Sequence, residues 1–192
     1  MSVPSPPGPV DAPDGAWASL DAAGKRRRTL HVASQLFARE GVDFPMPALA
    51  DALGVGVGSI YRQVGKKDDI VAALVVERIE QARERFLAAA ELDDPWEALT
   101  SGLVASIRAG CEDRVARDAW VLLTRPDVEE ARAAAREVLH GLFARAQAAG
   151  RVRPDASVDD LRYLLLAVQN VADEDGEAAV RITELVLAGM TA

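Results

Sequence analysis

The stretch MPALADALGVGVGSIYRQVGKKDDI, Met46 to Ile70, decides the fold of the N-terminal part of this chain. Its first part predicts a short helix from Pro45 or Pro47 to Leu53, because four apolar residues recur there at helical spacing: Met46, Leu49, Ala50 and Leu53. Gly54 is then expected to form a tight turn, and a second short helix is predicted from about Val57 to Val64. Two short helices joined by a glycine turn, with a supporting helix before them, indicate a helix-turn-helix.

The glycines of this stretch do not match a nucleotide-binding loop. A phosphate-binding loop of the form G-x-x-x-x-G-K-S/T would use Gly65-Lys66, but Ile60 then stands at its first glycine and Lys67 at its hydroxyl residue. The dinucleotide fingerprint lacks its third glycine in both registers, and it would follow a strand rather than a helix. Gly56 and Gly58 are instead expected to let backbone N–H groups approach the phosphates of a duplex.

Charge is unevenly distributed along the chain. The 192 residues carry a net charge of −8, but residues 25–67 hold eight Lys/Arg against three Asp/Glu, whereas residues 68–192 hold fourteen against twenty-four. A small basic module is therefore joined to a larger acidic one, as expected when only one part meets a polyanion. A solvated basic surface without a partner is the alternative on charge alone.

Several classes of protein are disfavoured by what the sequence lacks. It has no apolar run of membrane-spanning length and no basic region followed by an apolar stretch at its start, so we expect a cytoplasmic protein without membrane contact. One cysteine, Cys111, excludes an internal disulfide, and two histidines beside it make a zinc site improbable. No metal and no cofactor are expected.

The remaining pattern predicts an all-α protein of about nine helices. Residues 1–20 are expected to form a flexible tail, because residues 1–15 hold five of the ten prolines. Residues 21–70 are expected to form the helix-turn-helix domain, and residues 71–192 a C-terminal domain for effector binding and dimerisation. Sustained period-2 alternation, the signature of strands, is missing.

Helix starts are marked by short polar motifs. The first helix is predicted from about Gly24 to Arg39, and a long fourth helix begins at Asp68 and Asp69, whose carboxylates suit the positive end of a helix. Further helix starts are predicted at three capping motifs: Asp94-Pro95-Trp96-Glu97, Asp127-Val128-Glu129-Glu130 and Ser157-Val158-Asp159-Asp160. A shorter segment over 112–123 is expected between the first two.

The last two predicted helices, over about 158–171 and 178–190, are apolar on two faces. A helix with two apolar faces needs two neighbours, so we expect this pair to pack both on its own core and on a second copy of the chain. The residues assigned to this dimer interface are Leu161, Leu164, Leu165, Val168, Val180 and Leu187.

The N-terminal stretches resemble the tetracycline-repressor (TetR) family of bacterial transcription regulators. The resemblance is carried by RTLHVASQLFAREG (28–41), by ALADALGVGVGSIYRQVGKKDDI (48–70) and by the long helix after Lys67. It implies that the helix holding Ile60 and Tyr61 reads DNA, that Tyr61 and Lys67 contact phosphates, and that the C-terminal domain dimerises and binds a small effector.

The DNA-contacting candidates follow from this resemblance and from side-chain chemistry. Arg62 and Gln63 suit guanine and adenine edges, and the cationic run 25–28, continuing the tail, suits phosphates or a minor groove. Solvated surface is the alternative for each. The full set is Arg26, Arg28, Val57, Gly58, Ser59, Tyr61, Arg62, Gln63, Lys66 and Lys67.

Three positions depart from the family pattern. Pro45 and Gly56 stand where the family usually has hydroxyl residues, and Val64 stands where it usually has Phe. Losing two hydroxyls removes two helix caps and two potential phosphate contacts. This departure motivates the alternative that the chain is a dimeric helical scaffold that has lost operator binding.

Effector-binding candidates are assigned to the acidic domain. Aromatic and aliphatic side chains are expected to line an apolar cavity, with a few polar groups to orient a ligand, although core packing is the alternative for each of them. The set is Trp96, Leu99, Leu103, Ile107, Arg108, Trp120, His140, Phe143, Tyr163 and Asn170.

The function expected from these features is a homodimeric, ligand-responsive transcriptional regulator, in the first instance a repressor of a pseudo-palindromic DNA operator. An enzyme is disfavoured, because no Ser/His/Asp or Cys/His set stands at sensible positions and the carboxylates cluster at helix starts.

Overall fold

The computed structural model describes residues 17–41, 43–113, 124–172 and 174–192, which divide into two compact units, one within 1–73 and one within 74–192. The all-α prediction is confirmed. A short 3₁₀ turn, Trp17–Ser19, precedes the α-helices of the described residues: α1 (Ala22–Glu40), α2 (Met46–Leu53), α3 (Val57–Gln63), α4 (Lys67–Ala90), α5 (Pro95–Glu112), α6 (Pro126–Ala148), α7 (Val158–Ala172) and α8 (Gly176–Gly189).

Two sequence predictions fall on parts of the chain that the structure does not describe. The tail expected over 1–20 lies almost entirely outside the described residues, and so does most of the short segment expected over 112–123. Among the helices of the described residues, none combines the length and apolar character that crossing a membrane requires.

The first unit holds α3 on a small apolar core. Ile60, in the middle of α3, is fully buried, and α3 packs on α1 and α2. The unit holds four more large side chains that are fully buried: Phe37, Phe44, Leu49 and Ile70. Because close-packed side chains leave little room to move, this core fixes which side of α3 faces outward.

Gly54 makes the turn between α2 and α3. Its φ of 67° lies in the left-handed region that disfavours a side chain, and its N–H reaches the carbonyls of Ala50 and Asp51 at the end of α2. The predicted glycine turn is therefore present, and it lets α3 start three residues later at Val57.

Helix starts in the second unit follow the capping motifs, with one correction. Asp94 accepts hydrogen bonds from the N–H groups of Trp96 and Glu97, and the Asp160 carboxylate accepts from the Ser157 N–H at 2.7 Å. The Asp127 motif is shifted, because α6 begins at Pro126 with Arg125 as its cap residue. Proline carries the backbone angle of a first helical residue, which sets the start one residue before Asp127.

The core of the second unit is built by α4 to α8. One cluster joins Phe86, Leu103 and Phe143 to the last two helices, and a smaller cluster lies between α5, α7 and α8: Ile107, Leu164, Val168, Ala179 and Val180. Beside these clusters, Val152 pairs with Thr191 in an isolated antiparallel bridge.

Candidate functional site

Helix α3 presents a polar outer face above its buried anchor. Tyr61 is 48% exposed although it directly follows the fully buried Ile60, and Arg62 and Gln63 are exposed beside it. A hydroxyl, a guanidinium and an amide are thus displayed on a helix of the size that enters a major groove. Gly58 is also exposed, whereas Val57 and Ser59 are half-buried at the first turn.

The N-terminus of α3 is open and has no side-chain cap. Gly56 is the cap residue with ordinary extended angles, φ −73° and ψ 142°, and no side chain accepts from the N–H groups that follow. A Cβ added at Gly56 or Gly58 would meet nothing within 4 Å. The first turn is therefore not covered by other described residues at these two positions. Pro45, the cap residue of α2, likewise provides no side-chain cap.

Lys67 begins α4 next to two groups from the α1–α2 connection. Its ammonium lies 3.7 Å from the Asp43 carboxylate and 5.3 Å from the centroid of the Phe44 ring, while Lys66 is exposed. Sequence reasoning named Lys67 but missed Asp43, since nothing in the chain order indicates that the two side chains meet.

The basic run Lys25 to Arg28 lies inside α1, which corrects the expectation that it continues the tail. The helix starts at Ala22 because the Asp21 carboxylate caps it, accepting from the Gly24 N–H at 2.7 Å. Arg26 is exposed on this helix and Arg28 is half-buried. These cations are therefore held on a helix surface rather than on a flexible arm.

A cavity of about 380 Å³ opens in the second unit between α4, α5, α6 and α7. Small residues in its wall leave the space open: Ala82, Ala109, Gly110, Ala135 and Ala172. Larger apolar residues also line it: Ile79, Phe86, Ile107, Leu139, Leu165, Leu166 and Val168. Five arginines also reach it: Arg78, Arg85, Arg132, Arg136 and Arg162.

Of the predicted effector residues that the structure describes, only Ile107 lines this cavity, and the effector assignment stays a prediction. Leu99, Leu103 and Phe143 fill the core beside Trp96, and side chains that fill a core leave no space for a ligand. Four other predicted residues are exposed and do not line the cavity: Arg108, His140, Tyr163 and Asn170. Trp120 lies outside the described residues. Sequence reasoning missed one signal: along the helices that line the cavity, arginines recur at helical spacing together with small residues, alanine and glycine.

The cavity arginines differ in their partners. Arg78 pairs with Asp113 and Glu77, and Arg132 pairs with Glu129. Arg162 lies 3.3 Å from Asp159 and 4.4 Å from the centroid of the Tyr163 ring. Neither Arg85 nor Arg136 forms an ion pair or hydrogen bond with the described residues.

The predicted dimer-interface residues point into the chain's own core. Leu161, Leu164, Val168, Val180 and Leu187 are all at most 7% exposed, and Leu165 is half-buried against the same clusters. Side chains already buried in one chain contribute little surface to a second copy, and the assignment of these residues to a dimer interface stays a prediction. The opposite faces of α7 and α8 carry the exposed apolar residues: Tyr163, Leu166, Ile182, Leu185 and Val186.

Comparison with protein-family models finds two matches along the chain. Residues 30–74 match "Bacterial regulatory proteins, tetR family", and residues 94–192 match "Transcriptional regulator SbtR-like, C-terminal domain". No curated protein matches the chain.

Solved structures resemble most of the chain, across both units. A TetR transcription regulatory protein from Mycobacterium vanbaalenii is 30% identical, with 90% of this chain and 98% of that chain covered and a TM-score of 0.63. The regulator SCO0520 from Streptomyces coelicolor is 26% identical over 86% of this chain and 98% of its own, with a TM-score of 0.61. PfmR from Thermus thermophilus, at 22% identity, 84% and 97% coverage and a TM-score of 0.68, shares the fold.

The two family matches together span both units, and the M. vanbaalenii regulator is similar over nearly its full length. The family matches and the solved structure agree with the helix-turn-helix in the first unit and with the helical second unit. The chain therefore belongs to the TetR family of DNA-binding transcriptional regulators.

Proposed function

We propose that this regulator is a homodimeric repressor that binds a pseudo-palindromic operator through α3 and is released by a small effector in the cavity between α4 and α7. The observation that carries the proposal is the display of Tyr61, Arg62 and Gln63 on α3 over the buried Ile60, within the basic part of the chain. The alternative of a scaffold that has lost DNA binding is not favoured.

Dimerisation is supported by the exposed apolar face of α7 and α8. These helices pack against each other, and each leaves large apolar side chains uncovered on its outer side, with Leu185 63% exposed and Tyr163 58% exposed. A cluster of this kind on a water-soluble domain marks an interaction surface. A dimer that binds two half-sites needs its two α3 helices about 34–36 Å apart, the distance between successive major grooves.

Effector release is supported by α4. This one helix holds Lys67 at its start and supplies the cavity wall from Arg78 to Phe86 further along. A ligand that favours one position of α4 over another would alter DNA affinity, and a coupling of about 1–3 kcal/mol, or 5–150-fold, is typical of such switches.

Regulators of this family are generally not enzymes. We propose the same for this chain, together with a cytoplasmic location, and no metal or cofactor enters the proposed mechanism.

The test is selection of a DNA sequence from a random pool, followed by fluorescence anisotropy with the selected duplex at several salt concentrations. Tyr61→Phe combined with Lys67→Ala is expected to weaken binding and to lower the slope of log affinity against log salt by about 2 for the dimer, because each protomer loses one cationic phosphate contact. Arg108→Ala, which removes an exposed cation from the second unit, is the control and should leave that slope unchanged. Unchanged binding and slope in the double variant would overturn the proposal.

A further inference from the structure

We propose that the cavity between α4, α5, α6 and α7 binds a small organic acid with an apolar body, and that Arg85 and Arg136 bind its carboxylate. The inference rests on the proposed function in one respect, because it names the chemical class of the effector. Its basis is the charge, pairing and shape of the cavity walls.

The cavity is cationic although the domain around it is acidic. Residues 68–192 carry fourteen Lys/Arg against twenty-four Asp/Glu, yet the lining of the cavity holds five arginines and only two carboxylates, Asp113 and Glu129. Like charges gathered around one concave space repel each other unless an opposite charge enters it. A negatively charged ligand removes this repulsion, whereas a positively charged ligand adds to it.

Two of these arginines are neutralised within the protein. Arg78 and Arg132 have side chains only 16% and 14% exposed and are paired with Asp113 and Glu129, the two carboxylates of the lining. Arg162 is paired with Asp159 on its own helix. The positive charge that remains without a partner among the described residues is therefore that of Arg85 on α4 and Arg136 on α6.

Guanidinium groups suit carboxylates because their planar array of N–H donors matches two oxygens at once. Arg85 and Arg136 reach the same cavity from different helices, so one carboxylate held by both would connect α4 to α6. A further polar group, the Oγ of Ser106, lies on the α5 wall of the cavity. It is buried and neither donates nor accepts a hydrogen bond among the described residues. Buried polar atoms are nearly always hydrogen-bonded, and a ligand oxygen would meet this need.

The rest of the wall fits an apolar body of modest size. Apolar side chains from all four helices face the cavity, among them Ile79, Phe86, Ile107, Leu139 and Val168. The volume of about 380 Å³ is at the small end of the 300–1,000 Å³ range of ligand pockets. The ligand class is thus a compact monocarboxylate rather than a large amphiphile or a sugar.

The test measures binding of defined probes to the full chain without DNA. The probes are naphthalene-2-carboxylate and octanoate, each compared with the carboxamide of the same skeleton, and naphthalene-2-carboxamidine provides the cationic isostere. Isothermal titration calorimetry on the wild type is expected to rank carboxylate above carboxamide by at least about tenfold, with the amidine weakest, because only the carboxylate gains charge-assisted hydrogen bonds. A carboxamide or amidine that binds as tightly as its carboxylate would overturn the assignment, and so would failure of both carboxylates to bind.

Variants locate the site. Arg85→Gln combined with Arg136→Gln is expected to weaken carboxylate binding by at least about tenfold and to leave carboxamide binding unchanged, since only the charged head group loses its partners. Arg181→Gln is the matched control, because Arg181 is an exposed arginine of α8 that does not line the cavity. Equal loss in the control and the double variant would overturn the assignment. Helical circular dichroism confirms that each variant is folded.

A second readout separates this inference from the proposed function. The selected operator is titrated with the repressor in the presence of saturating octanoate and in its absence. Octanoate that binds through Arg85 and Arg136 without releasing DNA supports the anion site and contradicts release by such a ligand. Sequence-specific DNA binding with no carboxylate binding supports the regulator and overturns the anion site.

Discussion

The ammonium of Lys67 lies 5.3 Å from the centre of the Phe44 ring, and Phe44 is fully buried in the first unit. A cation at this distance from an aromatic face is attracted to it, and the contact orients the first residue of α4. The Asp43 carboxylate, 3.7 Å away and almost fully solvated, also attracts Lys67. Two neighbours thus orient Lys67, and if Lys67 binds a phosphate as proposed, Asp43 would compete with DNA for its charge.

Removing that competitor should strengthen DNA binding. Asp43→Asn is expected to raise operator affinity several-fold at low salt and less at high salt, because ions screen surface charges. The free energy of unfolding should change by no more than about 1 kcal/mol, since exposed ion pairs contribute little. Fluorescence anisotropy and urea unfolding measure the two quantities. Asp51→Asn is the matched control, an exposed carboxylate on α2 without a lysine partner. An equal gain in both variants would show that Asp43 acts only through net charge.

Restoring a hydroxyl at the start of α3 should help both stability and DNA binding. Gly56 has backbone angles that any residue adopts and open space around it, so Gly56→Ser is expected to raise the free energy of unfolding by a few tenths of a kcal/mol. A hydroxyl that also reaches a phosphate should tighten operator binding about three- to tenfold.

Gly56→Ala separates these effects, because alanine adds a side chain without a hydroxyl and is a poorer cap than glycine. It should lower stability and leave operator affinity at or below that of the wild type. A gain in affinity with alanine equal to that with serine would contradict a hydroxyl contact.

The exposed face of α7 and α8 should control the oligomeric state. Leu185→Glu is expected to raise the dimer dissociation constant by more than about tenfold, because a carboxylate buried without a partner is costly. Analytical ultracentrifugation over a range of concentrations measures this constant. Leu87→Glu is the control, since Leu87 is an exposed leucine of α4, 41% accessible, outside this face. Dimers of unchanged affinity in Leu185→Glu would place the interface elsewhere.

Asp94 should link stability of the second unit to pH. The hydrogen bond from the backbone N–H of Glu97 is the main cause that lowers the pKa of Asp94 below its ordinary value of 3.8, and Arg151 contributes at 2.6 Å. Because the folded-state pKa is the lower one, its contribution to stability is complete above the unfolded value of 3.8 and is lost as pH falls through the folded-state pKa.

Asp94→Ala is therefore expected to destabilise the protein at neutral pH and to differ less from the wild type at a pH well below 3.8. Urea unfolding followed by circular dichroism at both pH values tests this. Asp93→Ala, an exposed neighbour without a capping role, should show no such pH dependence. A gap between Asp94→Ala and the wild type that stays constant at both pH values would contradict the assigned cause.

Helix positions were predictable because their signals are local. The predicted ends of α2 at Leu53 and of α3 near Val64 agree with the structure to within a residue, since a left-handed glycine and helical periodicity act over one or two turns. The Asp94 and Ser157 caps agree for the same reason, and the Asp127 motif failed only because Pro126 fixed an earlier start.

Face and cavity assignments depend on residues far apart in the chain, which local sequence signals do not connect. The sequence showed two apolar faces on α7 and two on α8, but periodicity alone does not tell which face meets the chain's own core, so the buried Leu161 was assigned to the partner and the exposed Tyr163 to the ligand. The cavity likewise depends on alanines and arginines from four helices.

By itself the sequence determined the helical fold, the helix-turn-helix, the residues that α3 displays and the family, because turns, caps and a buried Ile60 are specified within short segments. The tertiary structure alone decided that Asp43 meets Lys67, that α7 and α8 turn Leu185 outward, and that Arg85 and Arg136 reach one cavity. These relations arise when helices pack, since packing brings together side chains that no sequence spacing connects.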